Sequence, residues 1–508
     1  MSEQTSKPTD PATASAADAT DSTGEKKKDA TPEVELLDLP DRSHLPVAAD
    51  VPLDATSTRA LAAAGLQYRV VPDDAEAFAQ FCHAMERGFL GERESAESRE
   101  AWRTGETTTR PIGVYDPAGA HPETPVATVV CWTTDLTVDL DSVLPIWAIS
   151  GVTVSSTHRR RGVARALLEG ELRAAASAGV PVAGLTVSEA TIYGRYGFGP
   201  AAGEGVHEIQ TRRAGWVGPN PVAQGRGRLD QVEREDAMRD IATLHGELVG
   251  SQPGDVAGWP TLWRQAAGLH PDQHRKELRA VRYTDAAGRL AGLVTYAIKG
   301  NETDYTASEL SVRHLAATTP DAYAALWHYV LTHDLIGTVK AWAPLESPLR
   351  WLVRDVRAIR VRDSDDHWLR LLDVRRCLEA RRYRTALDVE FEVSDPVGIA
   401  GGRYRLVADA NGAATVERVG SPSGEVSETG ALADAGASAA APDGVAPDGV
   451  APDGVARLGV ADLASLWLGS ARWSTLRAAG RVAVSEPTAQ ALDLAFTPSR
   501  PAHLTFGY

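Results

Sequence analysis

The segment from Ala148 to Pro200 limits the possible folds more than any other part of the chain. It opens with the strand-like run AISGVTVS and passes through the arginine-rich turn HRRRG into a helix that begins at Val163. Apolar residues recur along this helix at helical spacing, and Gly179 and Pro181 predict its end. The strand-like run VPVAGLTVS follows. This order predicts a strand, a turn, a helix and a second strand.

The turn at residues 159–164 has the form R-x-x-G-x-A and immediately precedes the helix. Backbone N–H groups and the positive end of the helix dipole face outward at such a position, which suits a pyrophosphate. Gly162 lets the backbone approach phosphates closely, and the neighbouring arginines add positive charge. By itself the pattern also fits a basic surface turn in an arginine-rich protein, so its context decides.

That context is a Val-x-Val strand before the turn and the continuation S-E-A-T-I-Y-G-R-Y-G-F-G-P after the second strand. The combination resembles the acetyl-CoA site of the GNAT superfamily of N-acyltransferases. With a second, degenerate copy and a third domain, the chain resembles the enhanced intracellular survival (Eis) family of N-acetyltransferases. The resemblance covers about residues 66–508 and is strongest over 148–213. It implies acetyl-CoA as co-substrate, amine substrates and a homo-oligomer, specifically a hexamer.

The resemblance also implies where acetyl-CoA binds. The co-substrate would lie between splayed strands, with main-chain contacts from Val152 and Val154 and with Ser188 beside it. The residues that would hold its pyrophosphate are those of the turn: Arg159, Arg160, Gly162, Val163 and Ala164.

By the same resemblance, Tyr193 falls where the family has its general acid, and the C-terminal carboxylate, here on Tyr508, where it has its base. Trp102 matches a tryptophan of the substrate channel, and Glu92 lies near an expected acidic position. An isolated tryptophan is usually a core residue, and Tyr193 and Tyr196 could both be packed aromatics. The ending HLTFGY departs from the family's acidic, phenylalanine-terminated tail.

Elementary acid–base chemistry supports these roles. A free alkylamine has a pKa of ~10.4, so a base or a desolvating acidic pocket must remove its proton before it attacks. A departing thiolate resembles a cysteine of pKa ~8.5, and a phenol of pKa ~10 can protonate it at a cost of only ~2 kcal/mol. A terminal carboxylate of pKa ~3.5 is a weak base that requires burial or a water relay.

The remaining sequence predicts α/β and α+β architecture, with two related α/β units followed by an α+β block. The resemblance implies that these are tandem GNAT folds, one catalytic and one degenerate, followed by a sterol carrier protein-like domain. We assign residues 61–216 to the catalytic unit, 217–375 to the degenerate unit and 376–508 to the last domain. In the second unit Thr319 is a predicted N-cap with Pro320 at the first helical position. The equivalent turn there reads Thr-Thr-Pro-Asp, which lacks the phosphate pattern, so this unit should not bind CoA.

Two segments have compositions that cannot build a packed core. Residues 1–60 lack apolar periodicity and are predicted to form a disordered acidic tail. The three identical APDGV pentapeptides at 441–455 predict a solvated loop. Neither segment is expected to contribute to catalysis.

The overall composition excludes several classes of function. A net charge of −16 over 508 residues argues against nucleic-acid binding and favours cationic substrates. The resemblance implies aminoglycoside-like, polyamine or lysine amines. Three scattered cysteines support neither a disulfide framework nor a cysteine-based zinc site, and we expect no metal. The sequence shows no leader pattern and no membrane-length apolar run, which predicts a cytoplasmic protein without a membrane partner.

Two alternatives remain open at this point. The chain could be a hydrophobic-ligand carrier that acts through its last domain, or a scaffold that assembles through its tail and repeats. The intact turn at 159–164 argues against a purely structural first unit, since packing alone does not require a phosphate-ready helix start.

Overall fold

Two β-sheets organise the chain. The computed structural model describes residues 41–104, 109–273, 275–420 and 455–508. Within these ranges twelve strands form one sheet and five strands form another. None of the helices described there is long and apolar enough to cross a membrane. The pentapeptides at 441–454 and the tail prediction for residues 1–40 lie outside the described residues.

The first unit supplies half of the large sheet. Its strands are β1 (Gln67–Val70), β2 (Arg110–Tyr115), β3 (Ala127–Asp139), β4 (Ser142–Val154), β5 (Val182–Thr186) and β6 (Gly199–Gln210). Its helices are α1 (Ala55–Ala63), α2 (Ala75–Gly88), α3 (Ala96–Arg103), α4 (Val163–Ser177), α5 (Ala190–Tyr193) and α6 (Thr211–Ala214). The predicted helix after the turn is α4, and its predicted apolar residues are buried.

The second unit supplies the other half. Its helices are α7 (Arg234–Val249), α8 (Pro260–Ala266) and α9 (Pro320–Leu331). Thr319 caps α9 by accepting a hydrogen bond from the Ala322 N–H at 3.1 Å, as predicted. Its strands are β7 (Gly227–Val232), β8 (Arg279–Asp285), β9 (Leu290–Lys299), β10 (Ser308–Ala317), β11 (Ile336–Ala343) and β12 (Ile359–Leu371).

The C-terminal domain is built on the smaller sheet, and Trp467, Trp473 and Phe391 fill its interior. Its helices are α10 (Val374–Glu379), α11 (Val460–Trp467), α12 (Trp473–Ala478) and α13 (Glu486–Ala495). Its strands are β13 (Leu387–Ser394), β14 (Gly402–Ala408), β15 (Ala414–Gly420), β16 (Ala456–Gly459) and β17 (Val482–Ala483).

The two halves of the large sheet exchange strands. The strand order is β1-β2-β3-β4-β5-β12-β6-β11-β10-β9-β8-β7. Strand β12 of the second unit therefore lies between β5 and β6 of the first, and His367 of β12 pairs with Thr186 on one side and with Ala202 on the other. The two units form one continuous sheet, and the sequence periodicity did not indicate this exchange.

Residues 41–60 are ordered, which corrects the prediction of a disordered tail for this part of the chain. Asp54 caps α1 by accepting a hydrogen bond from the Ser57 N–H at 2.7 Å. Fully buried Arg110 donates hydrogen bonds to the carbonyls of Ala48 and Val51. Arg110 thus binds the backbone of this segment, and Ala48, Val51 and Leu53 pack in or against the core of the first unit.

Arg110 is balanced by an equally buried carboxylate. Its Nε lies 3.2 Å from Glu171 of α4, both side chains are fully inaccessible to solvent, and the Tyr68 hydroxyl donates a further hydrogen bond to Glu171 at 2.9 Å. Removing one partner of a buried ion pair strands the other charge in the core.

We therefore expect Glu171→Gln to lower the free energy of unfolding by about 3 kcal/mol or more, measured by urea denaturation. The control is Glu100→Gln, which breaks an exposed pair with Arg103 of α3 and should change stability by less than about 1 kcal/mol. Equal stability of the two variants would contradict this account of the core.

Candidate active site

Two cavities meet in the first unit. The sheet cavity, of about 230 Å³, opens where β4 and β5 separate, and the tryptophan cavity, of about 330 Å³, lies beside it and reaches the second unit. Four residues line both cavities: Phe89, Ser150, Gly151 and Tyr508. A group bound in one cavity can therefore reach a group bound in the other at these residues.

The sheet cavity exists because β4 and β5 pair only briefly. Their parallel register covers just Ile146–Ala148 against Val182–Gly184, after which the strands part. The ladder between β3 and β4 is also irregular between Thr128 and Val130, next to Gly151 and Val152. Val152 and Ser188 both line the cavity, whereas Val154 does not.

The turn before α4 has the geometry of an anion site. Gly162 has a φ of +74°, a left-handed conformation that favours glycine, and no side chain caps the helix. The first N–H groups of such a helix have no intrahelical partners, and their dipoles attract negative charge. Arg159 and Arg160 are exposed beside them. The residues predicted to hold a pyrophosphate thus have the donors and charges that it requires.

Tyr193 at the end of α5 lies in the wall of the sheet cavity. It is 7% exposed, and its ring makes an edge contact with Phe198 at 6.1 Å. Burial, assisted by the neighbouring Tyr196 hydroxyl, raises the pKa of Tyr193 above its usual value. The phenol therefore holds its proton at neutral pH, as a general acid must before it donates.

Tyr508 is held at the junction of the two cavities. The Thr186 hydroxyl donates a hydrogen bond to the main-chain carboxylate of Tyr508. The Tyr508 ring makes an edge contact with Trp132 at 5.3 Å, and its hydroxyl lies 2.7 Å from His367 Nε2. A Cβ at position 184 would lie 2.9 Å from that hydroxyl, so Gly184 makes room for the ring.

The tryptophan cavity combines aromatic walls with a few charges. Trp102 of α3 lines it, together with Trp132 and Trp259. The role of Trp102 in a substrate channel stays a prediction. Burial raises the pKa of Glu94, another lining residue, with a further contribution from the nearby Glu86 carboxylate. Arg264 of the second unit also lines the cavity.

The prediction that Glu92 lines the channel requires correction. Glu92 is exposed and is not part of the wall, whereas Glu94, two residues further along the same loop, is. The loop after α2 turns at Leu90, whose φ is +61°, so spacing in the sequence does not determine which carboxylate faces inward.

Several lining residues were missed by sequence reasoning. Phe89, Glu94 and Trp132 carry no motif, and Trp259 comes from the second unit. A local signal for Trp259 exists in the run G-W-P at 258–260, since proline favours the first position of a helix and Pro260 begins α8.

Comparisons with known proteins assign the domains of the chain. An acetyltransferase (GNAT) domain profile matches residues 69–201, a second matches 256–375, and a sterol carrier protein domain profile matches 374–504. An uncharacterized N-acetyltransferase of Streptomyces griseus is 38% identical over 348 residues, which are 66% of this chain and 82% of that protein. The N-acetyltransferase Eis of Mycobacterium tuberculosis is 29% identical over 424 residues, 81% of this chain and 92% of that protein.

The chain belongs to the Eis-like GNAT N-acetyltransferases. The crystal structure of Eis1 from Mycobacterium abscessus is similar to the Eis-like chain with a TM-score of 0.68 and 25% identity, covering 87% of this chain and 100% of that one. The predicted fold class, tandem GNAT folds followed by a sterol carrier protein-like domain, is confirmed. The Eis-like chain is an acetyltransferase, and enzymes of the GNAT family use acetyl-CoA as co-substrate.

The anion site of this Eis-like enzyme can be tested by changing the glycine at the start of α4. Gly162→Asp places a carboxylate against the helix start and a side chain at a left-handed φ, so we expect at least a 10-fold weaker binding of acetyl-CoA by calorimetry. Gly179→Asp at the other end of α4, also at positive φ, is the matched control and should bind normally. Normal binding by a folded Gly162→Asp variant would refute the cofactor site.

Two partly buried carboxylates on adjacent strands, Glu204 of β6 and Asp366 of β12, should make stability depend on pH. Burial raises the pKa of Glu204 to about 7, and burial with repulsion from Asp365 raises that of Asp366 to about 6. Each folded pKa exceeds its unfolded value, so the folded state prefers the protonated forms. Stability is therefore lost as pH rises from about 4 through 7.

Glu204→Gln should accordingly raise the free energy of unfolding by ~1–2 kcal/mol at pH 8. This value is smaller than the pKa shift alone implies, because the side chain keeps some contact with water, which screens its charge. The gain should disappear at pH 4. Unfolding midpoints at the two pH values test this, with the exposed Glu97→Gln expected to be neutral at both. An equal gain in stability at both pH values would show that the raised pKa of Glu204 is not its cause.

Proposed function

We propose that the protein transfers the acetyl group of acetyl-CoA to a primary amine, with Tyr193 as general acid and the Tyr508 carboxylate as base. The observation that carries this proposal is the position of Tyr508, which lines both the sheet cavity and the tryptophan cavity. The sheet cavity would hold the co-substrate and the tryptophan cavity the amine. The shared residues then bring the two reactants together.

In this proposal the turn at 159–164 holds the pyrophosphate through the N–H groups of Val163 and Ala164 and through Arg159 and Arg160. Val152 contacts the co-substrate with its main chain, and Ser188 lies beside it. When bound, acetyl-CoA supplies the acetyl group and a thiolate leaving group. Tyr193 donates its phenolic proton to that sulfur, a transfer that is uphill by only ~2 kcal/mol for an unperturbed phenol.

The Tyr508 carboxylate accepts the proton that the amine loses. The hydrogen bond from Thr186 favours the ionised form of this carboxylate, which keeps it available as an acceptor but makes it a weaker base. Only the neutral amine attacks, so the ammonium proton of a cationic substrate leaves to solvent first. Transfer of the second proton to the Tyr508 carboxylate is favoured once the nitrogen begins to bond to carbon and that proton becomes acidic.

The substrates that we propose are cationic amines of the aminoglycoside, polyamine or lysine type. Glu94 lines the tryptophan cavity with Glu86 nearby, and aromatic faces such as Trp102 attract cations. The Mycobacterium tuberculosis relative carries the name N-acetyltransferase Eis, which supports the chemistry but not a particular amine.

A panel of amines incubated with acetyl-CoA and analysed by mass spectrometry tests the proposal. We expect a mass increase of one acetyl group on at least one cationic amine, and loss of that product with Gly162→Asp. Lysine and cadaverine differ only in a carboxylate, so comparing their acetylation shows whether Arg264 favours amines that carry a carboxylate. Absence of transfer to every amine by a folded enzyme that binds acetyl-CoA would overturn it.

We also retain the prediction of a cytoplasmic homohexamer, which rests on the family resemblance. Light scattering of the purified protein tests the number of subunits. The structure of the C-terminal domain argues against the rival function, a hydrophobic-ligand carrier. A carrier needs space for its ligand, but the fully buried side chains of Trp467 and Trp473 occupy the core of this domain.

A further inference from the structure

A loop of the second unit holds the end of the chain through direct hydrogen bonds and through one intervening histidine, His367. We define the clamp loop as residues 252–257 and the tail as residues 499–508. The Pro253 carbonyl accepts a hydrogen bond from the His503 N–H at 2.9 Å. The Gly254 carbonyl lies 3.0 Å from His367 Nδ1, and Asp255 contacts Thr505.

The contact through His367 holds the side chain of Tyr508. Burial lowers the pKa of His367 to about 4, so its ring is neutral at pH 7. Because the Gly254 carbonyl can only accept, Nδ1 carries the ring proton and Nε2 accepts from the Tyr508 hydroxyl at 2.7 Å. The clamp loop thus reaches the last side chain through one histidine.

Asp255 makes the most direct contact with the tail. It is 1% exposed, and its two oxygens accept from the Thr505 N–H at 2.9 Å and the Thr505 hydroxyl at 2.5 Å. His245 Nε2 lies 3.4 Å from the same carboxylate, while Nδ1 of that ring accepts from the Trp263 N–H. Phe506 packs edge-on against His245 at 5.0 Å. Two oxygens therefore fix one residue of the tail in position and orientation.

The clamp loop is itself fixed to the first unit. The Gly254 N–H donates to the Thr137 carbonyl at 2.8 Å, and the Thr137 N–H donates to the Asp255 carbonyl at 2.9 Å. Ala257 donates to the Asp135 carbonyl at 3.0 Å. Strand β3, which carries Trp132 into the tryptophan cavity, thus fixes the loop that holds the tail.

We propose that the clamp loop of the degenerate second unit sets the position of the terminal carboxylate, with Asp255 as the positioning residue. This inference rests on the proposed function, in which that carboxylate is the base. Thr505 lies three residues before the end, so a free end could move by up to ~10 Å. A shift of 1 Å at a reacting group can lower a rate by ~100-fold. The second unit thereby contributes to catalysis without binding CoA.

The test measures single-turnover acetyl transfer and acetyl-CoA affinity in matched variants. Asp255→Ala should lower the rate by at least 10-fold with acetyl-CoA affinity within two-fold of the parent. Thr505→Val, which keeps the side-chain shape and loses one hydrogen bond, should lower it several-fold, and Thr505→Ser should restore it. If Asp255→Ala does not fold, the pair at Thr505 still decides, because equal rates for Thr505→Val and Thr505→Ser would overturn the proposal.

Asp240→Ala serves as the structural control. Asp240 of α7 is also buried in the second unit and pairs with Arg282 at 2.6 Å, away from the tail. This variant should lose stability but keep its rate. An equal loss of rate in Asp240→Ala and Asp255→Ala would show that both act through stability alone, and would overturn the positioning role.

A double-mutant comparison separates this inference from the proposed function. An enzyme extended by two glycines after Tyr508 should be slow, and adding Asp255→Ala should slow it little further, because both changes act on the same carboxylate. If the two changes together lower the rate by the product of their separate effects, they act independently. That result would overturn the positioning role of Asp255 and leave the proposed function intact. If the extended enzyme is fully active, the carboxylate is not the base, and the proposed mechanism fails first.

Discussion

Replacing Tyr193 with phenylalanine is expected to lower the single-turnover rate of acetyl transfer by ~100-fold or more, while acetyl-CoA affinity stays close to that of the parent. The substitution removes one hydroxyl and leaves the edge contact with Phe198 in place. It therefore separates the loss of a proton donor from a loss of packing. Rapid-quench measurement with saturating acetyl-CoA gives the rate of the chemical step directly.

Tyr196→Phe is the matched control for this experiment. Tyr196 follows Tyr193 by three residues, is 5% exposed, and does not line the sheet cavity. Its loss of a hydroxyl should leave the rate within a few-fold of the parent. A Tyr193→Phe enzyme that is equally fast would exclude Tyr193 as an essential acid.

The second large effect is expected from moving the proposed base, the Tyr508 carboxylate. Adding two glycines after Tyr508 moves the carboxylate away from Thr186, and we expect turnover to fall by ~100-fold with little change in acetyl-CoA affinity. Tyr508→Phe is the control, because it keeps the carboxylate in the chain and loses only the hydroxyl that meets His367. Its rate should fall far less.

Full activity of the extended enzyme would assign the base elsewhere. Glu94 is then the next candidate, since it lines the tryptophan cavity and its raised pKa makes it a better proton acceptor than an ordinary carboxylate. A Glu94→Gln variant of the extended enzyme would distinguish this carboxylate from a chain of water molecules.

Local signals in the sequence were sufficient for the helix and turn that begin the proposed cofactor site. The boundaries of α4, and in the second unit the cap of α9 at Thr319, depend on residues within one or two turns of each other. Periodicity and capping chemistry report such short-range interactions faithfully. The family resemblance added the roles of Tyr193 and Tyr508, which stay predictions until the variants are measured.

Interactions between distant segments could not be predicted in the same way. Arg110 orders residues 48–51 from 59 or more positions away, and Asp255 holds Thr505 across 250 positions. The pattern of apolar residues in either segment does not predict which distant segment it contacts, because these contacts are made by backbone atoms and single polar side chains. The error at Glu92 has a related cause, since one residue at positive φ redirects the loop that contains Glu94.

The strand exchange imposes an order on events during protein synthesis. Strand β6 ends at Gln210, but β12, which must lie between β5 and β6, ends only at Leu371. At about 5–20 residues per second, a ribosome needs roughly 8–30 s to add the intervening ~160 residues. Throughout that interval the nascent first unit carries unpaired edges at β5 and β6, which are sites for mispairing with other chains. Folding of this protein in the cell therefore depends on protection of those edges until the second unit emerges.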